Sequence, residues 1–223
     1  MGKYTPQRLR VPLFPLPNVV LFPGAILPLH VFEERYKRMT ADAIDGDGLI
    51  GMALLRPGWE KEYYTRPAIE PVVCVGRVVA HERLDDGKFN FLLQGQVRAK
   101  IISEEKGDLP YRVARVEPLS QTPTMEIDLT HERQRLLNLF GDAAISTTDL
   151  GRHFMKLLAG PISTAEAADL IAFNFLEDVQ LKQSVLSDAD VARRVRRVVG
   201  AIGELKNSQP LNKPQGPDDP SRN

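Results

Sequence analysis

Four histidines, one cysteine and one glycine-rich turn are the places in this 223-residue chain where side-chain type and spacing could do catalytic or cofactor chemistry. Two histidines stand in His-Glu pairs, His81-Glu82 and His131-Glu132. A helical zinc site needs a second histidine one turn on, so that two imidazoles share a face, and neither pair has one. His30 and His153 have no cysteine at ligand spacing, and all four read as structural or surface residues. Cys74 lies among Val72, Val73 and Val75, where burial suppresses the thiolate and predicts an inert side chain. A lone cysteine also leaves no intramolecular disulfide and no cysteine-built zinc site. Gly46-Asp47-Gly48-Leu49-Ile50-Gly51 matches G-x-G-x-x-G, with Glu70 downstream. That fingerprint needs a strand before it and a helix after it, so that a pyrophosphate meets a helix amino terminus. Here the predicted order is helix then strand, and the turn reading is preferred. The chain has no G-x-x-x-x-G-K-[ST] phosphate loop and no legible nucleophile–base pair. The expectation is therefore no catalytic residue, no cofactor and no metal.

Two further segments suggest contact chemistry. The connector Arg56–Pro67 places Trp59, Tyr63 and Tyr64 among polar residues, and large amphipathic rings of this kind are typical of contact sites. They could equally fold back as a lid over the core, and the sequence leaves both readings open. Arg193-Arg194-Val195-Arg196-Arg197 is the one dense basic cluster. A solvated helix face is the preferred reading. An anionic partner is the sharper one, weakened for single-stranded nucleic acid by the lack of interleaved aromatics.

The elements that must position these residues change texture once along the chain. From Leu9 to Leu119 the chain is rich in β-branched residues, Pro and Gly. The predicted strands are Leu49–Leu55, Val72–Glu82, Lys88–Leu93, Arg98–Ser103 and Tyr111–Val116. The very apolar stretch Leu13–Phe32 cannot be one helix, because Pro15, Pro17, Pro23 and Pro28 each lack an amide donor. It reads as extended pieces, with Pro23-Gly24 as the sharpest turn. Asp85-Asp86-Gly87 predicts a hairpin with a type I′ turn. One helix is expected at Glu33–Ala43, with Tyr36, Met39, Thr40 and Ala43 on one face. After the Ser120–Thr124 connector the period becomes helical. Helices are expected within Met125–Phe140 and Asp149–Leu158, the second ended by Gly160-Pro161. Ser163-Thr164-Ala165-Glu166 is a capping box, followed by a face of Ala167, Leu170, Ile171, Asn174 and Phe175. Ser187–Asp190 opens a last helix whose apolar face is Val191, Val195, Val198, Val199 and Ile202. A disordered tail is expected from Asn207.

Composition bounds the remaining classes. Formal net charge is zero, which argues against a dominant nucleic-acid partner, and an apolar content of 43% suffices for a folded core. No apolar run approaches the roughly 20 residues that span a bilayer. The amino terminus lacks the apolar centre of a secretory signal. A cytoplasmic setting without membrane contact is the expectation.

Three ordered segments carry a family resemblance. Leu13–Leu16, Val19–Gly24 and Leu27–Leu29 form an apolar "LPL…VVLFPG…LPL" phrase. Val75-Gly76-Arg77-Val78-Val79-Ala80 is similar to a glycine-containing central strand, and Asp86-Gly87-Lys88 with Leu92–Ile101 to a "DG…GxxRxxI" hairpin. Together they resemble the amino-terminal substrate-binding domain of Lon proteases over about Leu9–Leu205. The carboxy-terminal half fits more loosely, through Ile171-Ala172 and Leu181–Leu186.

The resemblance implies an α+β fold, with a β-rich PUA-like pseudo-barrel (9–119), a helical bundle (120–206) and a tail (207–223). It implies capture of unfolded or extended polypeptide segments. The Walker motif is missing, nothing resembles the peptidase serine motif, and no chain after Ile202 could encode an ATPase, so no enzymatic activity is expected. Pro17-Asn18 stands where full-length enzymes carry a charged pair, which fits a stand-alone form. Candidate polypeptide contacts are Trp59, Tyr63, Tyr64, Phe32 and Tyr36. Candidate docking residues for a protease or chaperone are Arg193, Arg194, Arg196 and Arg197. An RNA-binding PUA-like protein is the alternative from another class, and steep salt dependence would mark it.

Overall fold

The computed structural model describes residues 8–62 and 65–208. The chain divides into two compact units, with the boundary between Ser120 and Gln121. The first is built from β1 (Leu9–Leu16), β2 (Ile26–Val31), α1 (Glu34–Asp45), β3 (Leu49–Leu54), β4 (Val72–Arg83), β5 (Phe89–Glu104) and β6 (Arg112–Pro118). The strand order is β2-β5-β4-β3-β1-β6, and β6 pairs back onto β5. Five strands therefore close into a barrel, and β2 is added outside the ring. All pairings are antiparallel except β1 with β3.

The barrel interior is filled by small and β-branched side chains, among them Val11, Leu13, Ala53, Val73, Val75, Ala99, Ala114 and Val116. A barrel of so few strands leaves no room inside for rings. The larger side chains pack outside it: Tyr36 of α1 sits against Phe14, ring centroids 4.5 Å apart. All four predicted α1 face residues, Tyr36, Met39, Thr40 and Ala43, are buried. Pro12 and Pro15 are tolerated in β1 because its two neighbours hold different halves of it. β6 pairs with Leu9–Leu13 and β3 with Leu13–Leu16. Each proline thus lies where only one side of the strand is paired.

β5 departs from expectation. Lys88–Leu93 and Arg98–Ser103 are parts of one sixteen-residue strand, not two. The break is a bulge: Gly76 faces Gly95 and Val75 faces Val97, which leaves Gln96 unpaired on β4. Glycine is required at 95 because a Cβ there would lie 2.1 Å from the Phe22 carbonyl oxygen. The turn before β2 docks on that bare backbone, Gly24 N–H donating to Gly95 O and Gly95 N–H to Ala25 O, both at 2.9 Å. Gly24 itself has φ +81°, as the sharp turn after Pro23 needs. The β4–β5 hairpin turns at Asp85-Asp86-Gly87, but not as type I′. Among the described residues no non-glycine has positive φ, and only Gly87 (φ +78°) supplies it. Leu84 N–H reaches Lys88 O and Gly87 N–H reaches Leu84 O, a three-residue loop with glycine in the left-handed position. Gly46–Gly51 is the expected turn, helix before and strand after, with Gly48 at φ +73°.

The second unit holds α2 (Thr130–Phe140), α3 (Ala143–Ser146), α4 (Asp149–Ala159), α5 (Thr164–Phe175), α6 (Val179–Ser187) and α7 (Val191–Ser208). Residues Glu126–Leu129 form a 3₁₀ turn, so the first helix begins later than Met125. The capping box is complete, with Ser163 accepting from Glu166 N–H and Glu166 accepting from Ser163 N–H. The buried face of α5 differs from expectation. Asn174 is exposed, and Ala168, Asp169 and Ala172 are buried with Ala167 and Ile171. Three rings, Phe140, Phe154 and Phe175, pack with centroids 5.1–5.7 Å apart. Val195, Val198, Val199 and Ile202 are fully buried, while Val191 is only partly so. Asn207 and Ser208 belong to α7 rather than to a tail. The rest of the expected tail lies outside the described residues. No helix among the described residues is long and apolar enough to cross a membrane.

Candidate functional site

Beyond the β4–β3 pairing, which ends at Arg77, the outer part of β4 continues with β5 and β2 as a three-stranded arm. Side chains alternate across a strand, so the arm has two faces. On one, Leu27 and Val31 of β2 meet Leu93 and Phe89 of β5, with Phe91 between them, and all are buried. On the other, Pro28 faces Leu92 and Leu92 faces Ala80, an apolar row across all three strands. Ile26 and Phe32 continue that face along β2, and they are 48% and 44% exposed. His30 stands between them, sharing a hydrogen bond with Asn90 (Nδ1 to Oδ1, 2.7 Å). Val79, also exposed, sits at the second bulge in the β4–β5 register. Exposed apolar side chains that adjoin one another mark interaction surfaces more than scattered ones do.

The arm has two open edges. Among the described residues β2 has β5 as its one partner strand, and Pro28 removes an amide donor from it. On β4, Val79–Arg83 contains no proline and has no partner strand among the described residues on the side away from β5.

A second feature of the same unit lies beneath the 56–67 connector. A small cavity of about 70 Å³ is walled by Pro15, Leu55, Pro67 and Tyr36, with Leu109 and Pro110 at one side. Arg35, Arg66 and Arg112 also line it. The Arg35 guanidinium lies 4.5 Å above the Tyr36 ring and pairs with Glu33. Arg112 is clamped: Nε and Nη2 donate to the two oxygens of Glu104 (2.8 and 2.6 Å), and Nη1 donates to Pro67 O (2.7 Å). Tyr111 O–H donates to Asp42 Oδ2 (2.7 Å). Burial and that bond push the Tyr111 phenol up to about 12. Burial opposes ionisation of Asp42, but the hydrogen bonds from Tyr111 and Arg38 outweigh it and hold the carboxyl below its ordinary value.

The sequence-predicted contacts scatter over these features. Phe32 lies on the exposed face of the arm, whereas Tyr36 is a core residue, 4% exposed, that shows the cavity only part of its ring. Trp59 opens a 3₁₀ turn, Trp59–Glu62, none of whose residues is buried. Tyr63 and Tyr64 lie outside the described residues. Ile26, Leu92 and Val79 were not anticipated. Adjacent leucines at 92 and 93 carry the signal, since neighbours in a strand face opposite ways and both faces must then be apolar.

All four arginines of α7 meet acids of their own unit; burial removes Arg194 from any docking face, whereas Arg193 and Arg196 stay exposed, 62% and 61%. Arg194 is buried and ion-paired with Asp169 (Nε to Oδ1, 3.1 Å). Arg193 donates twice to Asp188 (2.7 and 2.6 Å), and Arg196 donates to Glu132 (2.9 Å). Arg197 approaches Asp188 at 3.9 Å. The hydrogen bond from Arg193 holds the Asp188 carboxyl below its ordinary range, and the bond from Arg196 does the same for Glu132. Cys74 is fully buried. Among the described residues no group of three or more His, Cys, Asp or Glu side chains could hold a metal ion.

Comparison with known proteins adds the family. A model of the ATP-dependent protease La (LON) substrate-binding domain matches residues 10–203. A Lon protease of Dictyoglomus thermophilum is 28% identical over 84% of the chain, and Lon protease 2 of Myxococcus xanthus is 26% identical over 88%. The chain spans about a quarter of the length of these curated relatives, 23% and 24%. Among solved structures, the N-terminal domain of Mycobacterium avium complex Lon protease superposes with a TM-score of 0.70. It covers 88% of this chain and 99% of that one, at 13% identity. A Lon N-terminal domain protein from Xanthomonas campestris gives 0.59 at 23% identity, over 86% and 98%.

Proposed function

We propose that this chain, which belongs to the LON substrate-binding domain family, holds extended polypeptide segments on the three-stranded arm of its barrel unit. The observation that carries the reading is the exposed apolar row of Pro28, Leu92 and Ala80, flanked by Ile26 and Phe32, beside a proline-free open edge on β4. An extended segment pairing with Val79–Arg83 would gain backbone hydrogen bonds. Every second side chain would then fall on the apolar row. Such recognition depends little on sequence, because the backbone supplies most of the affinity. It suits chains that expose apolar residues after losing their fold.

In this proposal the contribution of the chain is binding, and any cleavage or ATP hydrolysis belongs to a separate protease or chaperone in the cytosol. Trp59 and the two tyrosines beside it remain candidate contacts at the connector.

The test is fluorescence anisotropy of a labelled, permanently unfolded model protein titrated with this chain, with its folded form in parallel. Saturable binding of the unfolded form alone is expected, with little dependence on salt. Leu92→Asp and Val79→Pro should each weaken it about tenfold, equivalent to 1.4 kcal/mol. Affinity unchanged in both variants would remove the arm from the proposal. Binding to an RNA oligomer that collapses with salt would replace it.

A further inference from the structure

We propose that the small cavity of the barrel unit takes a carboxylate of a bound polypeptide, at a chain end or on an acidic side chain. The proposal rests on the polypeptide-binding reading and adds a chemical preference to it. The argument is a count of charges around the cavity. Arg35 is balanced by Glu33, Arg112 by Glu104 and Arg38 by Asp42. Arg66, exposed at the rim, has no acid partner among the described residues. One unbalanced positive charge remains, at the mouth of a cavity walled by Pro15, Leu55 and Pro67. The lining mixes these apolar residues with Thr65, Tyr111, Arg35 and Arg112, and a charge in such a recess attracts an anion more strongly than the same charge in open solvent.

The donors are prepared for a planar anion. Glu104 and the Pro67 carbonyl fix the Arg112 guanidinium through three of its five N–H groups. Two remain, on a plane that cannot rotate away, and a guanidinium fork matches a carboxylate. A phosphate monoester would bring up to two negative charges against one unbalanced cation, so the singly charged group fits better. The size agrees. One water needs about 10–15 Å³ of such space, and about 70 Å³ leaves room for a carboxylate.

Three fluorescein-labelled peptides of one apolar sequence test this: a free acid, a carboxy-terminal amide, and the amide with one internal Glu. We expect the acid, the Glu amide or both to bind about tenfold tighter than the plain amide. The advantage should shrink as salt rises. Which of the two gains identifies the source of the carboxylate. Arg66→Glu, at an exposed position, should abolish the preference. Equal affinities of all three peptides, or a preference that survives Arg66→Glu, would overturn the cavity proposal and leave the arm standing. A phosphorylated amide that binds tighter than either carboxylate would overturn it too. Binding of none would overturn both.

Discussion

The two units depart from the usual inside-out arrangement in different places, though neither exclusively: the helical unit also exposes Met125 and Ile127, and the barrel unit also buries Arg98. The barrel unit keeps apolar side chains on its surface, with Ile26, Phe32, Val79 and Leu92 all more than a third exposed. The helical unit takes charge inside, burying Arg194, Asp169, Glu132 and Asp188. An exposed apolar side chain costs little stability in the isolated fold, so it persists wherever a partner makes it useful. A buried charge costs several kcal/mol unless it is paired and hydrogen-bonded, so it persists only where the surrounding geometry is fixed. The contrast sets the arm, which we propose as the contact surface, against the arginines of α7, which hold α7 to the acids of α2, α5 and the α6–α7 corner.

The largest expected effect tests the scaffold side. Arg194→Met leaves Asp169 buried without its cation and should cost about 3–5 kcal/mol in urea denaturation. The double variant Asp169→Leu/Arg194→Met should recover most of that loss, because an apolar pair needs no solvation. A double variant as unstable as the single one would mean that the pair does more than neutralise itself. Next comes Gly95→Ala, whose methyl would meet the Phe22 carbonyl at 2.1 Å. It should destabilise by about 1–3 kcal/mol or more, as overpacking does. It should also loosen β2, seen as faster amide exchange at Leu27 and Val31.

Acid should act on both units, since Asp42 of the barrel unit is held low as well. The Asp188 and Glu132 carboxyls are held below their ordinary values, so they ionise more readily in the fold than in the unfolded chain. Their contribution is fully present above the ordinary carboxylate values and disappears as pH falls through the lowered ones. The urea midpoint should drop on acidification, and Asp188→Asn should flatten that dependence. In alkali the sign reverses at Tyr111: its phenol ionises later in the fold than out of it. Stability is therefore lost between its ordinary value near 10 and about 12. Tyr111→Phe should remove that loss.

The smallest effect on stability is expected on the arm and the connector. Leu92→Asp and Trp59→Ala should change the unfolding free energy by less than about 0.5 kcal/mol, as exposed substitutions do. Both should still weaken polypeptide capture. A Trp59→Ala chain that melts early would make Trp59 a lid residue instead.

Much of the scaffold was legible because periodicity is local. The α1 face, the capping box at Ser163 and the α7 face follow from spacing within one element, and all three are present. What sequence alone misassigned depends on neighbours far away in the chain. Arg194, read with its neighbours as part of a solvated or docking face, is buried against Asp169 of another helix, and no local rule pairs them; Arg193 and Arg196 do stay exposed. Tyr36, named among the candidate contacts, packs its ring on Phe14 of β1. Two strands were expected where β5 runs unbroken, and Gly95 within it is the point of closest approach to the turn before β2. The arm was not legible as a surface, because its row joins three strands whose register only the fold sets.

Closure of the barrel has a consequence for how the protein is made. β1 is held on one side by β6, Leu9 facing Val116, so the first strand of the unit waits for its last. At about 5–20 residues per second that wait is roughly 5–20 s. Throughout it the apolar stretch Leu13–Phe32 has no finished barrel to join. A nascent chain in this state presents the same kind of extended apolar segment that we propose the finished arm to hold. Completed copies nearby would then be the first candidates to meet unfinished ones.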